Sequence, residues 1–451
     1  MASLWFESAL LPGGWADSVR VTLQDGRIAS VDAGVAPRPG DERHGLAVPG
    51  LCNVHSHAFQ RGMAGLTERR GGAEGDDFWT WREVMYIFLS QLTPDDVEVI
   101  AAQAYVEMLE GGFTRVGEFH YLHHDASGAA YADPAEMAGR VAKAAAQAGI
   151  GLTLLPVFYA HADFGGAPPA PGQRRFISNN DSFLRLIEAS ARHLREDATL
   201  GVAFHSLRAA SVEELGAILE PGVVGPIHIH IAEQLREVEA CVAHHGARPV
   251  EWLLNNAPVN ERWCLIHATH VTAVETERLA ATGAVAGLCP VTEANLGDGV
   301  FPTARFLELG GRMGVGTDSN VLIGAAEELR SLEYAQRLTL RARCLLADAQ
   351  TPSVGRRLFE AACVGGAQAL GAIGGVAPGN SADIVALNAV HPALADRSGD
   401  LALDSWIFAA RSGAVDAVWR RGVNVVSGGR HRHADAVAGR YRATLARLLA
   451  K

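Results

Sequence analysis

The chain has 451 residues, 48% hydrophobic and 20% charged, a balance that fits a soluble globular protein and excludes a disordered one. Its 50 acidic side chains outnumber its 39 lysines and arginines, and a net charge of −11 argues against nucleic acid or an anionic membrane as partner. The six cysteines, Cys52, Cys241, Cys264, Cys289, Cys344 and Cys363, form no CxxC pair, which removes a disulfide framework and a thiolate zinc site.

In chain order, the first residues lack a basic segment followed by an apolar one, and no run of about 18 apolar residues follows anywhere, so a cytoplasmic location is expected. Residues 3 to 47 alternate short β-like runs with turns; Ser18 to Leu23, Asp25-Gly26 and Arg27 to Val31 read as a hairpin. Eight apolar, strand-like runs come next: Gly50 to Phe59, Thr114 to Tyr121, Gly151 to Tyr159, Leu200 to Arg208, Pro226 to Glu233, Trp263 to His270, Ala284 to Asn295 and Arg312 to Asn320. Helices with readable caps separate most of them. Thr93-Pro94 with Asp96, and Asp133-Pro134 with Glu136, each combine a cap, a first-turn proline and an acid, while Ser211 with Glu214 and Thr272 with Glu275 are capping boxes. Gly112 and Gly149 close two of these helices. This alternation predicts an α/β fold, a (β/α)8 TIM-like barrel.

The β texture returns at Ala382 to Leu387 and at Ala414 to Val426 around Arg421-Gly422. The expected division is a small β-sandwich domain from residues 1–47 and 375–432, a metal-dependent hydrolase barrel over 48–374, and a C-terminal helix over 433–451. A Gly-rich stretch from Arg70 to Gly75 is a candidate lid.

Most of the eight runs turn polar at their carboxyl ends, and in a β/α barrel those ends converge on one face. His55 and His57 close the first run, and alternation along a strand points both imidazoles to the same side. An HxH alone says little in a chain with 18 histidines, since two hydrogen-bonded core histidines read the same way. The case strengthens because the fifth run supplies His228 and His230, the sixth His267 and the eighth Asp318. An imidazole-rich set with a carboxylate suits Zn2+, although iron or manganese stays open. The expected ligands are His55, His57, His230 and Asp318, with His228 deeper in the core.

Glu233, three residues after His230, is placed to overhang the ion without binding it, as a general acid/base. His267 is placed to polarise the water or hold the developing intermediate. Two-metal barrels commonly bridge their ions with a strand-end lysine. The lysines here, Lys143 and Lys451, end no strand, so one metal ion is expected, with Glu118 a supporting acid.

HxH on the first strand, His on the fifth and sixth and Asp on the eighth, inside a split β domain, resembles the amidohydrolase superfamily over nearly the whole chain. NVHSHAFQRGMAGL, DDFWTWREVMY, EFHYLHHD, AFHSLRA, HIHIAEQ, WCLIHATH, TEANLGDG and EELRSLEYAQRL are similar to the formimidoylglutamate deiminases. The resemblance implies zinc-dependent hydrolytic deamination of N-formimidoyl-L-glutamate to N-formyl-L-glutamate and ammonia in histidine degradation. It also implies a substrate pocket of Gln60, Arg82, Tyr121, His205 and Arg208, whose arginines suit a small dicarboxylate. A homodimer is the expected assembly. Where Asn320 stands some relatives carry histidine, which bears on the surroundings of Asp318. Two rivals stay open: a deaminase of the same superfamily acting on a nucleobase, triazine or cyclic amidine, and a catalytically dead barrel serving as scaffold.

Overall fold

The computed structural model describes residues 2–71, 75–220 and 222–450. Positions 72–74 of the candidate lid lie outside the described residues, as does Lys451.

The amino-terminal strands are β1 (Ala2–Leu11), β2 (Gly14–Gln24), β3 (Arg27–Asp32) and β4 (Glu42–Pro49). Asp25 and Gly26 both take the left-handed backbone, with φ of 52° and 78°, and Gln24 pairs with Arg27 across them. That conformation is what a two-residue hairpin turn requires.

The barrel strands are β5 (Leu51–Ser56), β6 (Phe113–His120), β7 (Gly151–Phe158), the short β8 (Thr199–Leu200) and β9 (Val202–Phe204), β10 (Ile227–Ile231), β11 (Trp263–His267), β12 (Val285–Leu288) and β13 (Arg312–Val315). All pair in parallel, and Val315 opposite Asn53 joins the last strand to the first, closing a barrel at the eight expected positions. Strands such as IHIHI and VAGL are buried throughout, because side chains fill the inside and helices cover the outside.

The carboxyl-terminal strands β14 (Ile384–Leu387), β15 (Val415–Arg420), β16 (Val423–Ser427) and β17 (Arg430–His431) join β1 to β4 in one eight-stranded sheet, ordered β17-β16-β15-β14-β4-β1-β2-β3. Trp419 on β15 and Phe6 on β1 stand three strand spacings apart, roughly 14 Å in a flat sheet. Their ring centroids are 6.2 Å apart, so this sheet curls around its own core instead of splitting into two separate layers.

Thr93, Ser211 and Thr272 each cap a helix with a reciprocal capping box. The helix after Asp133-Pro134 differs, starting only at Glu136 with Ala135 at its cap position. Asp133 is engaged in the preceding turn, where it accepts the Ala135 amide at 2.9 Å and pairs with His193 at 2.8 Å. Gly149 closes this helix in the left-handed region, as its sequence position implies. The helix Gly399–Phe408 lies in the stretch assigned to the small β domain, yet it packs on the barrel. Its Asp404 accepts the Gly355 amide at 2.7 Å, and Arg330 donates to the Ile407 carbonyl at 2.5 Å. The helix Ala434–Leu449 rests on the barrel, with the Tyr441 hydroxyl donating to the Arg61 carbonyl at 3.0 Å.

One glycine reports how tightly the barrel is wrapped. A Cβ at Gly365, in the helix Val354–Ala369, would lie 1.9 Å from the Met313 carbonyl oxygen of β13. Backbone cannot yield as a side-chain end does, so Gly365→Ala is expected to destabilise the protein by about 3 kcal/mol. Gly439→Ala, at an open helical position, should be neutral or slightly stabilising. Comparative chemical denaturation checks both, and equal midpoints for the two variants would refute the packing argument.

Candidate active site

Strained backbone gathers at the carboxyl ends of three barrel strands. Ala232 after β10, His267 and Ala268 at the end of β11, and Asp318 and Asn320 after β13 are non-glycine residues with φ between 43° and 68°. Such conformations cost on the order of 1 to 3 kcal/mol each and persist where surrounding contacts over-determine them. Around β13 those contacts are visible. Thr317 Oγ1 receives the Asn53 amide at 2.7 Å and donates to Asn320 Oδ1 at 2.6 Å, while Asn320 Nδ2 donates to Ser56 Oγ and the carbonyls of His57 and Asp318. Asn320 thereby ties the loop carrying Asp318 to the end of β5.

Four side chains meet within this frame. His55 Nε2 lies 3.2 Å from His57 Nε2 and 3.0 Å from His230 Nε2, and Asp318 Oδ1 lies 3.3 Å from both His55 Nε2 and His57 Nε2. Ligand atoms about 2.1 Å from one ion, at angles of 90° to 109°, stand roughly 3.0 to 3.4 Å apart. Protonation agrees with that geometry. Burial drives the pKa of His55 down to about 3 and holds His57 and His230 below the ordinary histidine value, so all three rings are neutral. His57 Nδ1 faces the Phe119 carbonyl at 2.9 Å and therefore keeps the proton, turning the lone pair of Nε2 towards the cluster. The donor set therefore fits one divalent cation. His55, His230 and His267 also converge closely enough to share an ion. His55, His57 and Asp318 form a second such group, and His267 Nε2 lies 3.8 Å from Asp318 Oδ2.

His267 presents Nε2 to the site because Nδ1 is tied to Glu293 Oε1 at 3.2 Å. Burial opposes its charged form, but the carboxylates of Glu233, Glu293 and Asp318 outweigh burial and raise its pKa to about 10. Glu233 Oε1 lies 3.8 Å from His267 Nε2, and burial raises its own pKa to about 7. Its main chain is held by Glu237, which accepts the Glu233 amide at 3.1 Å and the Ala232 amide at 3.3 Å. His228 is fully buried and directed at the Ala369 carbonyl at 2.8 Å. Glu118 accepts the Ala58 amide at 2.7 Å behind the HxH turn, and burial raises its pKa to about 7.

One cavity is lined by His57, Gln60, Arg82, Tyr121, His205 and Arg208 together with His230, Glu233, His267 and Asp318. Among the sequence-derived candidates only His55 lies outside this lining, enclosed behind it at 0% exposure. Gln60 donates to the Tyr121 hydroxyl at 2.9 Å, and the rings of His205 and Tyr159 lie 4.4 Å apart. Arg82 stacks on Trp79 at 4.4 Å and also faces the cavity, so the stacking and the pocket position coexist. Tyr86, Tyr159, Phe176 and Leu296 also line the wall, with Phe78, Trp81 and Met85, and were not singled out from sequence. Tyr86 had a signal: it follows Arg82 by four residues on the helix Phe78–Leu89, one turn along the same face.

A parallel β/α barrel with converging histidines, a carboxylate and a free glutamate at its carboxyl-terminal face defines a barrel hydrolase with a candidate metal centre. The amidohydrolase family model matches residues 46–425, and that of the formimidoylglutamate deiminase HutF N-terminal domain matches residues 1–45. A formimidoylglutamate deiminase from Pseudomonas aeruginosa is 49% identical, with 100% of each chain covered. An amidohydrolase crystal structure from Brucella melitensis is 53% identical with a TM-score of 0.95, again over 100% of both chains. An adenosine deaminase from Xanthomonas campestris with bound zinc shares the fold at 21% identity and a TM-score of 0.82, covering 100% of this chain and 99% of its own. The chain belongs to the amidohydrolase family and, within it, to the formimidoylglutamate deiminases. Among the described residues no helix is long and apolar enough to cross a membrane.

Proposed function

We propose that the protein hydrolyses N-formimidoyl-L-glutamate to N-formyl-L-glutamate and ammonia, a step of histidine degradation, with one Zn2+ held by His55, His57, His230 and Asp318. The observation that carries this reading is the shared cavity: Arg82 and Arg208 stand in the same wall as Glu233, His267 and the imidazole cluster. Two guanidiniums suit a substrate with two carboxylates and poorly suit a flat neutral ring, the kind of substrate a nucleobase or triazine deaminase takes.

A divalent ion in this site supplies Lewis acidity, making water a competent nucleophile near neutral pH, and nitrogen-rich coordination favours zinc over iron or manganese. Glu233 takes a proton from the attacking water and passes it to the imino nitrogen, then relays the remaining hydroxyl proton to the same nitrogen, so that the nitrogen leaves as ammonia and the carbon keeps the oxygen as a formyl carbonyl. Asp318 accepts a hydrogen bond from the same water. His267, oriented by Glu293, donates from Nε2 to the oxygen of the attacking water, which gains negative charge as its hydroxyl proton is removed. Arg82, Arg208, Gln60, Tyr121 and His205 hold the dicarboxylate so that attack is effectively intramolecular. The working unit in this reading is a cytoplasmic homodimer, which sedimentation of the purified protein tests.

The decisive measurement is ammonia release from N-formimidoyl-L-glutamate before chelation, after it, and after zinc is restored, with N-formylglutamate identified by mass. Activity should vanish on chelation and return with zinc. Zinc binding without ammonia release would overturn the substrate and leave a purine and pyrimidine panel as the next trial.

A further inference from the structure

At the rim of the cavity the half-buried Trp79 gathers arginines from three separate elements. The guanidinium carbon of Arg82, on the same helix, lies 4.4 Å from a Trp79 ring centroid; Arg236, on the helix Leu235–His245, lies 4.5 Å away; Arg208, after β9, lies 5.9 Å away. All three fall within cation–π range of one indole. Among the described residues none of the three is in a salt bridge, and the Nε–H groups of Arg82 and Arg208 are buried without a partner. The carboxylates in electrostatic reach of Arg208 are Glu237, Glu233 and Asp163. Of these, Glu237 is committed to the amides of Ala232 and Glu233. With none of the three guanidiniums in an ion pair among the described residues, the cluster offers an incoming carboxylate charged donors.

Arg82 and Arg208 line the cavity, whereas Arg236 stands outside it and is exposed. A chain of net charge −11 repels at long range an approaching dicarboxylate, which stays net negative even with its amidine protonated, so an outer cation beside the entrance acts on capture more than on chemistry. We infer that Arg236 is a substrate-capture residue, the outermost cation of a Trp79-centred cluster that draws a dicarboxylate towards Arg82 and Arg208. The inference rests on the dicarboxylate reading above and extends it to a residue beyond the pocket wall.

The test is kcat/KM against ionic strength, from about 10 to about 300 mM, for wild type, Arg236→Gln and Arg236→Lys, with thermal unfolding to verify folding. The substrates are N-formimidoyl-L-glutamate and its monocarboxylate analogue N-formimidoyl-4-aminobutyrate. Arg236→Gln should lower kcat/KM for the dicarboxylate roughly fivefold at low salt, flatten its salt dependence and leave kcat within about twofold. The loss should be smaller for the monocarboxylate, and Arg236→Lys should keep the wild-type salt dependence. An Arg236→Gln enzyme with wild-type kcat/KM and salt dependence overturns the inference alone, as does an equal loss on both substrates. Wild type inactive on the dicarboxylate overturns the substrate reading and the inference with it.

Discussion

Glu233→Gln should lower turnover by about two or more orders of magnitude while the protein keeps its metal. The carboxyl is buried, with Oε1 3.8 Å from His267 Nε2, and among the described residues it belongs to neither of the groups, His55, His57 and Asp318 or His55, His230 and His267, that could share an ion. Glutamine preserves its shape, and the Glu233 backbone stays anchored through its amide on Glu237, so the loop need not rearrange. What glutamine cannot do is accept a proton from water and return it to nitrogen. Steady-state ammonia release gives kcat, and elemental analysis gives zinc per chain. Turnover within tenfold of wild type would remove Glu233 from the proton path; loss of zinc along with activity would reassign it as a ligand.

Much of this site was legible because barrel topology turns a one-dimensional pattern into a place. Once eight runs with polar carboxyl ends are recognised, His55, His57, His230, His267 and Asp318 must share one face, whatever the helices between them do. The parity of His55 and His57 follows from strand alternation alone. The supporting contacts were not legible, because each depends on the register of elements far apart in sequence. Glu293 reaches His267 across 26 positions, and Asn53 reaches Thr317 across 264. The motif EELRSLEYAQRL illustrates the same limit: Glu328 accepts the Val291 amide at 3.0 Å, and Glu333 accepts the amides of Leu345 and Leu346. Those glutamates hold loops in place, a role that residue type cannot distinguish from catalysis.

Local rules met their own limit at Asp133-Pro134. The dipeptide has the composition of a helix start, yet His193 competes for the aspartate and helical structure begins at Glu136. Asn320 is the opposite case. Its amide makes a linked set of bonds to Thr317, Ser56 and the His57 carbonyl, so asparagine braces the loop around Asp318.

Arg208→Met should raise KM for N-formimidoyl-L-glutamate about 100-fold while changing kcat by less than about tenfold. Arg208 is only 5% exposed, so a carboxylate reaching it meets a cation with little water to screen the attraction. Its Nε–H lacks a partner, leaving donor capacity for a charge-assisted bond. Losing a hydrogen bond to a charged group at a buried site costs about 3 kcal/mol, which corresponds to the expected factor. Methionine keeps most of the aliphatic stem, so the change removes charge with little loss of packing. Arg82→Met should act in the same direction but more weakly, about tenfold, because Arg82 is less buried and stacks on Trp79 and Tyr86. Arg208→Lys separates charge from geometry: a lysine restores the positive charge without the planar fork, so it should recover part of the lost affinity. The check is kcat and KM for all three variants by ammonia release. A KM within threefold of wild type in Arg208→Met would mean that no substrate carboxylate reaches Arg208, whereas a fall confined to kcat would move Arg208 from binding to the reaction itself.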